Sequence, residues 1–114
     1  MGYSGTMSGI LKPVSSSETP DISVVVPVHD EAGAAVTLAR DIATAFAGRS
    51  YEMLFVDDAS RDDTLSLLQG AIKDMPQLRV LAHGTNAGQS RAVRTGVLAA
   101  RGGIIVTLDG DGQN

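Results

Sequence analysis

Apolar positions along the chain come in two alternating rhythms. ISVVVPV, Ile22 to Val28, is a β-branched run of the kind that forms a strand covered on both faces. From Glu31 to Phe46 the apolar residues Ala35, Leu38, Ala39, Ile42 and Phe46 recur three or four apart. That spacing predicts a helix with one apolar stripe, closed by Gly48. The cycle then repeats. EMLFVDD, Glu52 to Asp58, predicts a second strand, and Asp62 to Asp74 a second helix with Leu65, Leu68 and Ile72 on one face and Pro76 as its stop. LRVLAH, Leu78 to His83, predicts a third strand. A turn through Gly84 and Gly88 leads into a third helix with Val93, Val97 and Ala100 in line, ended by Gly102 and Gly103. IIVTLD, Ile104 to Asp109, predicts the fourth strand.

Short strands alternating with helices call for right-handed parallel crossovers. The expected fold is therefore α/β, an open Rossmann-like three-layer sandwich around a mainly parallel sheet, with four strands and three helices. In such sheets ligands bind outside the carboxyl ends of the strands. Residues 1–20, rich in Gly, Ser, Thr and Pro, cannot offset the entropy of ordering a chain and are expected to be a flexible leader. Residues 21–114 are then the folded domain.

Composition narrows the choice of partner. With 114 residues the chain holds one domain at most, and its formal charge of −4 argues against a nucleic-acid-binding surface. Residues 21–63 carry nine acids against three arginines, whereas residues 64–114 carry three acids against five bases. A cation site and an anion site can therefore lie side by side, although solvated surface charge accounts for the same counts. The absence of cysteine excludes disulfides and thiolate metal sites and leans toward a cytoplasmic setting. No apolar run is long enough to span a bilayer.

The polar residues that carry chemistry fall at the four strand ends. In PVHDEAG, Asp30 and Glu31 suit the first turn of the following helix and read as caps. In VDDASRDDT, Ser60 and Asp63 have capping-box spacing, which leaves Asp57 and Asp58 unexplained. Two adjacent carboxylates repel and require water, a cation or ligand donors. In HGTNAGQSRAVRTG, Asn86 and Gly88 sit in the turn, and Ala92 and Gly96 are small enough to let the helix press on the sheet. The amides at that helix start, with Arg91 and Arg94, can meet phosphate oxygens, or the arginines are simply solvated. In DGDGQN, Asp109, Asp111 and Gln113 offer the hard oxygen ligands that suit Mg²⁺ or Mn²⁺ shared with a substrate's phosphates. A calcium loop is excluded, because Asn114 stands where that loop needs glycine and a strand precedes it. The dinucleotide and P-loop glycine signatures are also absent.

Taken in order, VVVPVHDE, VDDASRDDT, NAGQSRAVRTG and VTLDGDGQN resemble the four successive motifs of family 2 glycosyltransferases of the GT-A fold. LDGDGQ with VDDASRDDT is most similar to the branch that moves a sugar from a nucleotide donor to a polyprenyl phosphate, the dolichol-phosphate mannose synthase type. The resemblance covers Ile22 to Asn114. It implies that Pro27, Val28 and Glu31 border the nucleotide pocket, that Asp57 or Asp58 hydrogen-bonds the base or ribose, and that Asn86, Gly88 and Arg91 form the loop beside the nucleotide. It further implies that Asp109 and Asp111 are the DxD pair on Mg²⁺ or Mn²⁺, with Asp109 also near the nucleotide and Gln113 as an extra ligand. The implied reaction is metal-assisted, inverting transfer of a sugar from a GDP- or UDP-linked donor to a polyprenyl phosphate. The setting it implies is cytoplasmic, at the face of a membrane in a longer protein. His29 and Asp30 depart from the branch, which often has Tyr and Asn there.

The acceptor half of such an enzyme would lie beyond Asn114. The chain is therefore expected to be a truncated donor-binding half, inactive alone, with an exposed fourth strand through which copies can pair as a homo-oligomer. Two other readings remain at this point. One is a fragment that binds nucleotide or self-associates without catalysis. The other is a receiver- or dehalogenase-like domain in which Asp57, Asp58 and Asp109 hold Mg²⁺ for phosphoryl transfer.

Overall fold

The computed structural model describes residues 19–109. The expected leader, apart from Thr19 and Pro20, lies outside the described residues, as do Gly110 to Asn114. Seven elements follow in order: β1 (Ile22–Val28), α1 (Ala32–Ala45), β2 (Tyr51–Asp57), α2 (Thr64–Ala71), β3 (Leu78–Ala82), α3 (Gln89–Ala99) and β4 (Ile104–Thr107). The strands form one parallel sheet in the order β3-β2-β1-β4. β1 and β2 are the central strands, and each holds an unbroken apolar stretch, Val24 to Val28 and Met53 to Val56.

Alternation along the strands assigns side chains to the two faces. Val24, Val26 and Val28 of β1, Met53 and Phe55 of β2, and Leu78 of β3 pack with Ala35, Ala39 and Ile42 of α1 and Leu68 and Ala71 of α2. Phe55 is fully buried, and truncation of such a side chain to alanine costs about 3–5 kcal/mol. The opposite face carries Val25, Leu54 and Val56, with α3 over Val25 and Val56.

α3 does not pack as its apolar periodicity predicts. Its buried residues are Ala92 and Gly96, while Val97 and Leu98 are exposed. The cause is close approach. A Cβ on Gly96 would stand 2.4 Å from Val25 Cγ1 and 3.2 Å from Val56 Cγ2, so only glycine lets the helix sit this near the sheet. α2 is also shorter than the predicted Asp62 to Asp74. It begins only at Thr64, whose amide is taken by Asp62, and it gives way to turns after Ala71, which leaves Ile72 beyond the helix and exposed.

β4 is an edge strand. Its ladder to β1 runs from Ile22↔Ile104 to Val25↔Thr107, with Leu108 N donating to Val25 O at 3.0 Å. Ile104 and Ile105 are exposed. Because β4 pairs no further than Val25, the last residues of β1, including Pro27, are paired only with β2. A proline there removes no donor that β4 would need. No helix among the described residues is long and apolar enough to cross a membrane.

Candidate functional site

Where β1 outruns β4, a cavity of about 250 Å³ opens at the carboxyl edge of the sheet. It is lined by Pro27, Val28, His29, Glu31, Asp58, Gln89 and Asp109. Three strand ends and the start of α3 thus contribute to one hollow, as expected for an open parallel sheet.

The wall formed by residues 29–32 is held by the loop after β2. Asp57, 1% exposed, accepts hydrogen bonds from the amide and hydroxyl of Ser60. Ser60 Oγ in turn accepts from Asp30 N at 2.7 Å, and Asp30 Oδ1 accepts from Arg61 N at 2.7 Å. One step further along, the Asp62 carboxylate accepts from the Thr64 amide and hydroxyl, Thr64 Oγ1 accepts from Glu31 N at 2.8 Å, and Asp62 Oδ2 accepts from Ala32 N at 3.3 Å. The Thr64 bonds hold the Asp62 carboxyl below its usual range. The opening amides of α1 are therefore capped by another loop. This corrects the reading of Asp30 and Glu31 as caps and of Ser60 with Asp63 as a capping box: neither Glu31 nor Asp63, at the N-cap positions, makes a side-chain cap bond. Asp30 and Ala59 both adopt positive φ, 52° and 58°, so each of the interlocked loops holds a left-handed residue.

Asp58 is arranged differently. It is 4% exposed and faces the cavity, yet its carboxylate accepts from Ala87 N and Gly88 N and from His83 Nδ1, each at 2.8 Å. Burial opposes its ionisation, but the Ala87, His83 and Gly88 donors outweigh that cost and hold the carboxyl below its usual range. The repulsion expected between Asp57 and Asp58 is thus relieved by donors of the chain itself. Gly88 makes this possible with φ +97°, which turns its amide toward Asp58. Above Asp58, His29 Nδ1 donates to its carbonyl at 2.7 Å, and Asn86 Nδ2 lies 3.3 Å from the His29 ring.

Of the residues singled out in the sequence, Pro27, Val28, Glu31, Asp58 and Asp109 meet around the cavity. Asp57 is turned onto Ser60, and Asn86 and Gly88 stand behind His29 and Asp58. Arg91 lies with Arg94 in a neighbouring groove that His83, Thr95 and Leu98 also line. The Ala87 and Gly88 amides at the start of α3 are engaged by Asp58, so the phosphate reading of that helix end loses those two donors. Asp111 and Gln113 lie outside the described residues. Among the described residues no three His, Asp or Glu side chains are grouped to hold a metal, so Asp57, Asp58 and Asp109 do not form the acidic pocket of the phosphoryl-transfer reading. Three residues were missed: His29, which lines the cavity and was noted only as a departure from the family branch, Gln89 and His83. Gln89 donates to Asp109 Oδ1 at 3.3 Å, and His83 supports Asp58. The signal for His83 was its place at the end of a strand on the edge where the other polar turns converge.

Glu31 is the wall residue whose carboxylate makes no hydrogen bond or ion pair among the described residues, and Asp109 lines the same hollow. Hard oxygen donors at the mouth of a polar cavity suit a divalent cation and groups bound to it.

Comparison with known proteins bears on the family and the fold. Residues 23–114 match the family described as glycosyl transferase family 2. The undecaprenyl-phosphate 4-deoxy-4-formamido-L-arabinose transferase of Pseudomonas aeruginosa is 38% identical over 96 residues, which cover 82% of this chain and 28% of that protein. The namesake from Shewanella sediminis is 36% identical over 97 residues, covering 82% of this chain and 29% of its own length. The chain therefore spans under a third of the relatives it matches. Among solved structures, a Pyrobaculum calidifontis mannosyltransferase in complex with GDP-Man and Mn²⁺ superposes with a TM-score of 0.72 at 26% identity, over 82% of this chain and 28% of that one. Staphylococcus aureus TarS 1-349 in complex with UDP-GlcNAc gives 0.72 at 26% identity, over 80% of this chain and 26% of its own. On its sequence and on its parallel α/β sheet, the chain belongs to glycosyl transferase family 2.

Proposed function

We propose that this chain supplies the donor-binding part of a glycosyltransferase that moves a sugar from a GDP- or UDP-linked donor to a polyprenyl phosphate. The observation that carries the reading is the cavity at the carboxyl edge, which both Asp58 and Asp109 line. Asp58 offers a fixed, ionised acceptor to an N–H of the base or a hydroxyl of the ribose. Pro27 and Val28 give an apolar floor beside it. Asp109, and with it Asp111 and Gln113, would hold Mg²⁺ or Mn²⁺ near the diphosphate, and Gln89 orients the Asp109 carboxylate. The cation, when bound, offsets the negative charge that builds on the leaving nucleoside diphosphate. In the reaction the bond from the anomeric carbon to the diphosphate oxygen breaks as one forms to the acceptor's phosphate oxygen, from the opposite face in an inverting transfer.

The mannosyltransferase with GDP-Man and Mn²⁺ and the TarS complex with UDP-GlcNAc support a nucleotide-sugar donor, and the undecaprenyl-phosphate transferases support a lipid-phosphate acceptor. Such an acceptor would place the longer protein at the cytoplasmic face of a membrane. The test is calorimetric titration of the chain with UDP, GDP and their sugars, with Mn²⁺ and with a chelator. Metal-dependent binding that Asp109→Ala and Asp111→Ala weaken is expected. Binding indifferent to metal and to both substitutions, or no binding at all, contradicts the proposal.

A further inference from the structure

We propose that His83 is a positioning residue of the nucleotide site: held by Thr95 behind it, its ring fixes the Asp58 carboxylate and, through it, the turn that leads into α3. The proposal rests on the reading of the cavity as a donor site, but its geometry stands apart from that reading. His83 directly follows β3, and its amide donates to Asp57 O at 2.9 Å, so its backbone is part of the sheet edge. Its ring lies between two partners, Asp58 Oδ1 at 2.8 Å from Nδ1 and Thr95 Oγ1 at 2.8 Å from Nε2.

The chemistry of the partners decides the direction of each bond. An ionised carboxylate only accepts, so Nδ1 carries the proton and donates to Asp58. A hydroxyl both donates and accepts, so Thr95 satisfies Nε2 whether the imidazole is neutral or charged. The ring is thereby held at both ends in either state and works as a strut between α3 and the tip of β2. Asp58 Oδ1 receives His83 and Ala87 N, while Oδ2 receives Gly88 N alone among the described residues and so has capacity for a further donor in the cavity that Asp58 lines. Without the strut, Oδ1 loses one of its two donors, and the carboxylate can rotate away together with the amides it holds. A ring that merely fills space would show no preference for a replacement that donates.

The comparison of His83→Asn with His83→Leu separates the two roles. The asparagine amide places a donor near the position of Nδ1, whereas leucine has similar bulk and no donor. Thr95→Val removes the rear support and keeps the shape. Titrated with UDP and GDP in the presence of Mn²⁺, the Leu variant is expected to bind about tenfold or more weakly than the native chain and the Asn variant within about threefold, as befits loss or retention of a hydrogen bond to a charged group. Thr95→Val is expected to fall between them. Amide hydrogen exchange gives a readout independent of any nucleotide: Ala87 and Gly88 should exchange faster in the Leu variant and at near-native rates in the Asn variant. If the native chain binds neither nucleotide, the donor-site reading fails, while the exchange rates still judge His83. Equal Ala87 and Gly88 exchange in the native, Leu and Asn chains overturns the positioning role, as does equal nucleotide affinity of the Leu and native chains.

Discussion

The two edges of the sheet each bury a carboxylate, and they use it in opposite ways. At the amino edge Glu52, 3% exposed, accepts from Ser23 Oγ at 2.6 Å, Arg101 N at 2.7 Å and Arg79 Nη1 at 2.8 Å, with Arg101 Nε at 3.5 Å. At the carboxyl edge Asp58 is met by two backbone amides and one imidazole, and among the described residues no Lys or Arg pairs with it. Glu52 is neutralised by two guanidiniums, whereas Asp58 keeps its charge and lines a cavity. α3 is fastened at both ends by these groups. Asp58 takes the amides that lead into its amino end, where negative charge suits the helix dipole. Glu52 takes the amide after its carboxyl end, and Arg79 also donates to the Ala99 carbonyl at 3.1 Å. The comparison teaches that burial of a charge does not by itself mark a site. What marks one is the kind of donor and what remains uncovered.

The sharpest way to break this contrast is Glu52→Ala. It strips the acceptor from two cations, a serine and an amide, and should cost about 3 kcal/mol, the low end for a buried pair because both guanidiniums keep contact with water. Urea unfolding measures the loss, and nucleotide affinity of the folded fraction should stay native. Asp58→Asn should reverse that pattern. An amide cannot accept from all three donors, so about 2 kcal/mol of stability is expected to go, and with it at least tenfold in nucleotide affinity. Gly96→Ala probes the rod between the two edges: overpacking against Val25 should cost about 1–2 kcal/mol, largely restored in the Gly96→Ala, Val25→Ala double variant.

Acid titration probes both edges more gently. Burial opposes ionisation of Glu52, but the Ser23, Arg101 and Arg79 bonds outweigh it and hold the carboxyl below its usual range, as the Ala87, His83 and Gly88 bonds do for Asp58. A carboxyl lowered in the folded state stabilises the fold above its unfolded pKa, about 4, and loses that contribution as pH falls through the folded value. Stability should therefore decline below about pH 4, and Glu52→Gln should flatten part of that decline. The smallest effect concerns β4. Ile104→Lys should leave folding within about 0.5 kcal/mol and abolish any self-association that light scattering detects at high concentration.

The fold was legible where side-chain pattern and packing agree. β1 and β2 read as buried strands because Val24 to Val26 and Met53 to Val56 are covered on both faces. α3 was legible through its small residues and not through its large ones: Ala92 and Gly96 press on the sheet as their size and spacing suggest, whereas the apolar stripe through Val97 does not face it, because a helix this close to a sheet selects small side chains. The lacing of Asp57, Ser60, Asp62 and Thr64 onto residues 30–32 was not legible either. Local spacing suggests caps within one segment, and these bonds join two loops about thirty residues apart. His83 was hidden for the same reason, since its partners lie 25 residues before it and 12 after it in sequence. At the cavity, Asp58 and Asp109 stood out from their places at strand ends, whereas Pro27, Val28 and Glu31 were placed there by the resemblance to family 2 glycosyltransferases, since position alone reads Glu31 as a cap.

The central claim is that the carboxyl edge binds a nucleotide and the amino edge is structural. The most direct measurement is amide hydrogen exchange of the chain with and without UDP or GDP and Mn²⁺. The account predicts added protection at residues 28–31, 58–60 and 87–90, and none at 51–53 or 100–102. Protection at the Glu52 edge, or none at the Asp58 edge under conditions where calorimetry detects binding, would contradict it.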